Sequence, residues 1–344
     1  MVDVSVMGAG VFGLSVAYAC AKQGARVRVI DPGGIGAGSS GGLVGALAPH
    51  APEQWNEKKA FQFDSLIMAE TFWVEVETIG GVSAGYDRTG RLQPVMNERG
   101  LELAYARGNT AKELWQGKAD WQVVSAQDGG DWAPQSPTGY LIHDTLSARM
   151  NPRSAAAALA AAVVALGGEI TDAGAAQGKV VWATGWRGLM DLSAELGRVV
   201  GNGEKGQSAL LRVARPDMPQ IFADGVHVVP HADGTVAIGS TTERDFDDPS
   251  STDTQLDTVL ERACAAVPAL RGAEVIERWA GVRPRTKSRA PMLGAHPTRV
   301  GEFIANGGFK IGFGMAPKVG QVMTDLVLAG RNDIPADFQP EASL

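Results

Sequence analysis

Three glycines near the start of the chain have the spacing that brings a backbone close to a phosphate. They lie in the segment Gly8–Gly13, directly after the apolar run Val4–Met7 and before a helix-forming stretch. Gly8 permits a tight turn out of the strand, Gly10 allows close approach to a pyrophosphate, and Gly13 lets the helix pack against the strand. The N-terminus of that helix would present free N–H groups and a partial positive charge to the phosphates.

An acidic residue completes this pattern. A second apolar run, residues 27–30, ends in Asp31, which lies 23 positions after Gly8. A carboxylate at this point can accept hydrogen bonds from the adenosine ribose hydroxyls, and it disfavours the 2′-phosphate of NADP. Together these features predict a dinucleotide-binding βαβ unit. A glycine-rich turn in an ordinary α/β domain is the alternative.

A second glycine-rich region, at residues 279–314, indicates which dinucleotide is bound. An NAD-dependent dehydrogenase holds its cofactor within one contiguous domain, whereas a flavoprotein of this kind also needs a distant part of the chain to hold the flavin ring. Glycine-rich turns let backbone N–H groups approach a planar ring edge. The N-terminus of the helix that follows can stabilise negative charge on the pyrimidine edge of the reduced ring. The region therefore favours FAD.

Composition excludes several classes of function. The chain of 344 residues is long enough for two domains, and its net charge of −7 gives no reason to expect nucleic acid or an anionic membrane as a partner. No apolar run reaches membrane-spanning length and no basic segment precedes the first strand, so we expect a cytoplasmic protein. Cys20 and Cys264 lie in Ala-rich helical patterns, which predicts neither a disulfide nor a metal site. Neither cysteine lies near the second glycine-rich region, so the flavin should be bound noncovalently.

The order of the elements is interleaved. Segments typical of a nucleotide-binding domain occur at the start, at residues 179–185, and in a closing strand and helix at 303–306 and 317–328. We therefore predict an α/β fold, with a Rossmann-like FAD-binding domain and an α+β substrate domain that carries a mainly antiparallel sheet. We expect the tail after Gly330 to be loose. The predicted FAD-binding domain comprises residues 1–50, 145–200 and 283–344, and the substrate domain comprises 51–144 and 201–282.

At this point the sequence resembles the D-amino-acid oxidase family of FAD-dependent oxidoreductases, and within it the glycine oxidase branch. The resemblance implies noncovalent FAD and oxidation of a small amino acid or amine to the imine by hydride transfer to the flavin. Water then hydrolyses the imine to a keto acid or aldehyde. The blocks that carry the resemblance are GAGVFG…VID at 8–31, GSSGGLVGALAPH at 38–50, VVWATGW at 180–186, and WAGVRPRTKSRAPMLG with GGFKIGFGMAPKVG at 279–320.

The resemblance also implies roles for individual residues. Arg283 would hold the substrate carboxylate, because a planar guanidinium can donate two parallel hydrogen bonds to it; a structural arginine bonded to backbone carbonyls is the alternative. We expect Arg285, Lys287 and Arg289 to form a solvated turn, or one of them to meet an FAD phosphate. The residues expected to contact FAD are Gly8, Gly10, Val11, Phe12, Gly13, Asp31, Gly38, Ser39, Ser40, Ala46, Leu47, Thr184, Gly185, Gly308, Phe309, Lys310, Ile311 and Gly312.

Two positions and one stretch of the chain depart from the glycine oxidase pattern. His227 stands in place of a Tyr, Lys310 stands in place of an Arg, and the stretch 172–179 is too short for a small β-meander. We therefore expect that glycine is not the best substrate, and that His227 adds a pH dependence near neutrality because a free imidazole titrates at about 6.5. His227 as a sheet residue, and Lys310 as a flavin ligand or a solvent-exposed side chain, are alternatives. His50 lies at the end of the glycine- and serine-rich segment 38–50, the flavin-side loop, and is a further catalytic candidate.

Other functions remain compatible with these residues. A dehydrogenase of the same fold would pass electrons to a carrier other than oxygen, and a 2-hydroxy-acid oxidase could use the same arginine and flavin. A nucleotide-binding protein without turnover is the alternative outside enzymes. The expected partners are a small-molecule substrate and an electron acceptor, and a homo-oligomer is compatible with the sequence.

Overall fold

Two large β-sheets, one mostly parallel and one mostly antiparallel, organise the protein in a computed structural model of residues 1–344. The strands are β1 (Val4–Met7), β2 (Val27–Ile30), β3 (Ala46–Leu47), β4 (Arg91–Pro94), β5 (Trp121–Ser125), β6 (Tyr140–Asp144), β7 (Ala148–Arg149), β8 (Glu169–Thr171), β9 (Lys179–Trp182), β10 (Gly201–Arg212), β11 (Gln220–Ala223), β12 (Val226–Pro230), β13 (Thr235–Gly239), β14 (Val275–Thr286), β15 (Met292–Ala295) and β16 (Glu302–Asn306). The helices are α1 (Val11–Lys22), α2 (Glu57–Gly80), α3 (Glu98–Leu114), α4 (Pro152–Ala165), α5 (Gly185–Glu195), α6 (Thr254–Ala266) and α7 (Gly312–Ala329).

The first sheet has the order β15-β16-β9-β1-β2-β8, and all its neighbours are parallel except β15 and β16. Its main core contains α1, α2, α4 and α7, and α2 packs on α4 and α7. Local signals set the ends of these helices: Asn151 caps α4 by accepting from the N–H groups of Arg153 and Ser154, and Pro152 occupies the first turn. Residues 172–178 join β8 to β9 without forming a strand, as the short stretch in the sequence predicted.

The second sheet has the order β14-β10-β13-β12-β11-β4-β6-β5, with β11 and β4 as its parallel pair. Alternate residues of its strands, such as Ile221, Val228 and Ile238, pack with α6 in a second core. Because side chains alternate across a strand, Phe222 and His227 lie on the opposite face. That face carries the residues of the candidate site.

The α/β fold class with a mainly antiparallel second sheet is confirmed, but two details of the predicted division differ. The boundary at 282/283 falls inside β14, which pairs with β10 along its length; Gly281 and Pro284 concealed this strand in the sequence. Helix α2 was expected in the substrate domain, yet Phe61, Leu66 and Trp73 are buried in the core beside the parallel sheet. Helix α7 begins at Gly312, five residues before the predicted start, with Pro317 inside it.

The expectation of a loose C-terminal tail was wrong. Phe338 is fully buried and packs against Phe61, with 4.9 Å between the ring centroids. The last residues form two short 3₁₀ helices, and the Ser343 hydroxyl accepts a hydrogen bond from the Ser288 N–H. The apolar anchors of this tail, Ile334 and Phe338, are isolated residues without a helical or strand spacing, so periodicity does not detect them. None of the helices combines the length and the apolar composition needed to cross a bilayer.

Candidate active site

The glycine turn at the start of the chain fits a pyrophosphate. A Cβ atom on Gly8 would lie 2.4 Å from the Ala183 carbonyl oxygen, and one on Gly13 would lie 2.0 Å from the Gly8 carbonyl oxygen. The packing of the chain itself therefore requires these two glycines. A Cβ on Gly10 would meet only the Ser40 hydroxyl, at 3.3 Å. The absence of a side chain at Gly10 thus leaves an approach to the backbone open, as a bound phosphate requires.

The surroundings of this turn suit an anionic dinucleotide. Helix α1 has no side-chain cap and no acidic residue in its first turn, so its positive end is not neutralised. Asp31 lies at the end of β2, where it accepts hydrogen bonds from the N–H groups of Ala9 (2.7 Å) and Gly33 (2.8 Å). The Ser40 hydroxyl accepts from the Val11 N–H at 3.0 Å and so ties the flavin-side loop to the helix start.

The fold brings the second glycine-rich region to the first. A Cβ on Gly308 would lie 3.0 Å from the ring of Phe12, so the two glycine blocks touch. Helix α7 then starts at Gly312 without an acidic residue in its first turn, which leaves its positive end available to the flavin. The remaining residues expected to contact the flavin lie near these two turns. Gly38 and Ser39 directly precede Ser40, Ala46 and Leu47 form β3, and Thr184 and Gly185 follow β9.

Arg283 is a half-buried cation without a carboxylate partner. Its guanidinium lies over Gly206, where a Cβ would come within 1.9 Å of Nη2. It donates to the Ser240 hydroxyl at 2.5 Å and to the Thr241 carbonyl at 3.4 Å. Burial lowers its pKa to about 10, partly offset by Glu204 and Glu243. The side chain therefore stays protonated at neutral pH and can still bind an anion.

Lys310 supplies a second cation to the same space. Its ammonium donates to the Thr242 hydroxyl at 2.8 Å. Burial lowers the pKa of Lys310, and the charge of Arg283 lowers it further. The segment Ser240–Thr242 therefore orients both cations. Sequence reasoning missed this segment, although a run of hydroxyl side chains directly after a strand that ends in glycine is a signal for it.

His227 faces the two cations and stays neutral. Burial lowers its pKa to about 3, with further contributions from Arg91, Lys310 and Arg283. Its Nδ1 atom is buried without a hydrogen-bond partner, and its ring packs on Phe222 with 4.6 Å between centroids. The low pKa gives no support to the predicted pH dependence of His227 near neutrality. Burial, which the sequence did not reveal, lowers this pKa most, and the surrounding positive charges lower it further.

His50 is held apart from this group. Its backbone N–H donates to Gln62 on α2 at 2.9 Å, and its ring Nδ1 pairs with the same amide oxygen. Burial lowers the pKa of His50, and the neighbouring charges that lower it further are those of Lys58 and Lys59. The contacts of His50 are thus structural, and they give no support to the catalytic candidate.

The basic run after Arg283 divides into two parts. Arg285 is partly buried, pairs with Glu204 and lies 5.4 Å from the ring of Phe309. Only Lys287 and Arg289 are exposed at the turn. The expectation of a solvated turn was therefore wrong for Arg285, because its side chain alternates with buried positions along β14.

Comparison with known proteins places these features in a family. A sequence model described as FAD dependent oxidoreductase matches residues 3–326. A glycine oxidase of Pseudomonas putida is 28% identical over 99% of each chain. A bifunctional protein ThiO/ThiG of Trichormus variabilis is 26% identical over 96% of this chain, which spans about half (53%) of that relative. The crystal structure of glycine oxidase from Geobacillus kaustophilus shares the fold, with a TM-score of 0.84 at 23% identity over 98% of both chains.

Proposed function

Since the chain belongs to the family of FAD-dependent oxidoreductases, we propose that it oxidises a small amino acid or amine at the carbon that bears nitrogen. The observation that carries this proposal is Arg283, a half-buried and protonated guanidinium without a carboxylate partner, near Lys310 of the second glycine-rich region, which suits FAD. FAD, when bound, supplies the acceptor for the hydride that leaves the substrate carbon.

Arg283 orients the substrate. The Ser240 hydroxyl and the Thr241 carbonyl accept hydrogen bonds from its guanidinium and fix its orientation. Its remaining N–H groups can therefore bind a carboxylate in a fixed direction. Two parallel hydrogen bonds fix the plane of the carboxylate and thereby the position of the α-carbon. Burial of the pair keeps water from competing for these bonds.

The positive charges of the site favour the neutral form of the substrate amine. Arg283 and Lys310 both stand near the space where substrate would bind, and positive neighbours lower the pKa of a bound ammonium group. The neutral amine, whose lone pair assists loss of hydride from the adjacent carbon, is therefore favoured. No base on the protein has to remove that proton, which can pass to water as the substrate binds.

The same residues do not provide the base that oxidation of a 2-hydroxy acid requires. Its hydroxyl proton must leave during oxidation, and this requires a base close to the substrate. His227 has a pKa near 3 and is a weak base, while Arg283 and Lys310 are cations. The arrangement therefore favours amines over alcohols.

The proposal is tested on the purified yellow protein. Acid precipitation should release FAD into the supernatant, which checks for the noncovalent cofactor. Under anaerobic conditions, members of a panel of amino acids and amines should bleach the flavin, and matched hydroxy acids should not. Readmission of air, or of an artificial acceptor, then shows which acceptor reoxidises it. NAD in the supernatant, or bleaching by hydroxy acids alone, would overturn the proposal.

A further inference from the structure

A row of side chains crosses the antiparallel sheet beside Arg283. Gly239 on β13 pairs with His227 on β12, which pairs with Phe222 on β11. The parallel pairs Gln220–Arg91 and Ile221–Leu92 of β11 and β4, continued by one residue, bring Gln93 beside Phe222. All of these residues lie on the face opposite the second hydrophobic core, because they alternate with its members.

Three polar atoms along this line of the sheet are buried without a partner. They are Nδ1 of His227 and Nε2 of Gln93, on either side of Phe222, and Oγ of Ser208, which pairs with Gly239 at the other end. Buried polar atoms without hydrogen bonds are uncommon in folded proteins. Three of them on one face, next to a substrate-binding cation, indicate that a ligand supplies missing partners.

The row begins at the carboxylate anchor. Arg283 donates to Ser240, and Ser240 directly follows Gly239, the residue that pairs with His227. From His227 to Gln93 is two strand spacings, about 10 Å between Cα atoms. A substrate held by its carboxylate at Arg283 could therefore extend a side chain along the row, over His227 and Phe222 and toward Gln93. Glycine has no atoms to reach this part of the site.

The far end of the row offers hydrogen bonds without a free charge. Arg91, which lies on the same face of β4 as Gln93, is neutralised by Asp144 at 2.8 Å. His227 is neutral, and Lys310 is held near the anchor by Thr242, two residues after Ser240. A charged group at the Gln93 end would be buried without a counterion, at a substantial cost. An uncharged amide would satisfy both the N–H and the carbonyl group of the Gln93 side chain.

We infer that His227, Phe222 and Gln93 form a side-chain subsite, and that the preferred substrate is an amino acid whose side chain ends in a carboxamide. This inference rests on the proposed function, because it takes Arg283 as the carboxylate anchor. Gln93 acts in it as a specificity-determining residue. Phe222 packs against the aliphatic part of the substrate, and the amide of Gln93 pairs with the amide of the substrate.

The test compares glutamine with glutamate, which have nearly the same shape and differ in charge, and with norleucine and glycine. Both enantiomers of each chiral amino acid are measured with the holoprotein. The accepted enantiomer of glutamine should exceed glutamate in kcat/KM by at least about tenfold, because glutamate would bury an uncompensated charge. Gln93→Met should lower kcat/KM for glutamine by about 3- to 10-fold, as expected for one or two hydrogen bonds. It should leave glycine and norleucine within about twofold.

Gln122→Met is the matched control, because Gln122 is exposed on β5 and lies on the other face of the sheet. It should leave every ratio unchanged. If Gln93→Met fails to retain flavin, Gln93→Glu keeps the volume and should reduce the preference for glutamine. Equal values of kcat/KM for glutamine and glutamate would overturn the inference. So would a Gln93→Met variant that loses kcat/KM to the same extent for glycine as for glutamine. Failure of every amino acid to bleach the flavin would instead overturn the proposed function.

Discussion

Replacement of Arg283 by alanine tests the anchor of the proposed site. The guanidinium is half-buried, donates to Ser240 and Thr241, and has no carboxylate partner of its own. The variant therefore breaks no ion pair within the protein, and its effect should fall on the substrate. Gly206, which leaves room for the guanidinium, would then face a cavity.

The size of the effect follows from the burial of the pair. Truncation of one side of a buried, hydrogen-bonded charge pair costs about 3–5 kcal/mol. That cost corresponds to a loss of about 150- to 5,000-fold in kcat/KM for a carboxylate substrate. Arg283→Lys should also lose much of the activity, because an ammonium cannot reproduce the two parallel hydrogen bonds. Both variants should keep their flavin, since Arg283 makes no contact with the glycine turn at α1.

The assay combines binding and turnover. Acetate binding is followed through the flavin spectrum, and kcat/KM is measured with the best amino acid. Arg278→Ala is the control, since Arg278 lies on the same strand and pairs with Asp257 at an exposed position; it should change kcat/KM by less than about twofold. Guanidinium ions should partly restore turnover in Arg283→Ala by entering the cavity over Gly206. A flavin-loaded Arg283→Ala variant within tenfold of the native protein would refute the anchor role.

Four further predictions concern the surroundings of the site. Ser240→Ala should raise KM about 3- to 10-fold with little change in kcat, because one hydrogen bond to Arg283 is lost; steady-state kinetics decide this, and Ser240→Thr should rescue. Gly10→Ala should fold normally but weaken FAD retention at least about tenfold, as measured by titration of the apoprotein, because a methyl group would occupy the phosphate approach. The pKa of His227 is about 3 in the folded protein and about 6.5 in the unfolded chain, so between these values the unfolded state binds a proton that the folded state does not. The free energy of unfolding should therefore fall by about 2 kcal/mol from pH 6.5 to pH 5 through this residue. His227→Phe should remove that part of the pH dependence in urea titrations, and an unchanged slope would contradict the assignment. Phe338→Ala should cost about 3–5 kcal/mol in the same assay if the tail is part of the core, whereas a loose tail would show no loss.

The nucleotide-binding half of the fold could be predicted from the sequence because its signals are local. The strand, glycine turn, helix and Asp31 follow one another within 31 residues, and the steric need for Gly8 and Gly13 is visible in the structure. Strand β14 was missed because its 12 residues include Gly281 and Pro284, which disfavour strands in isolation. It forms because β10 pairs with it from end to end.

The substrate side of the site was harder to predict because its residues come together only in the folded sheet. Arg283 and Lys310 were identified through motifs, yet Ser240, which orients Arg283, lies 43 positions away in sequence. Gln93 carries no motif at all, and only its register in the sheet and its unpartnered amide nitrogen distinguish it. The pKa of His227 likewise depends on its burial in the folded sheet and, after that, on the charges of Arg91, Lys310 and Arg283.

The most direct test of the central claim is anaerobic mixing of the holoprotein with alanine and with lactate, which share a carbon skeleton and a carboxylate. We predict that one enantiomer of alanine bleaches the flavin and that deuterium at its α-carbon slows the bleaching. Neither enantiomer of lactate should bleach the flavin at a comparable rate. Ammonia and pyruvate should form in equal amounts. Bleaching by lactate in preference to alanine, or no effect of deuterium on a reaction shown to be limited by flavin reduction, would contradict the account.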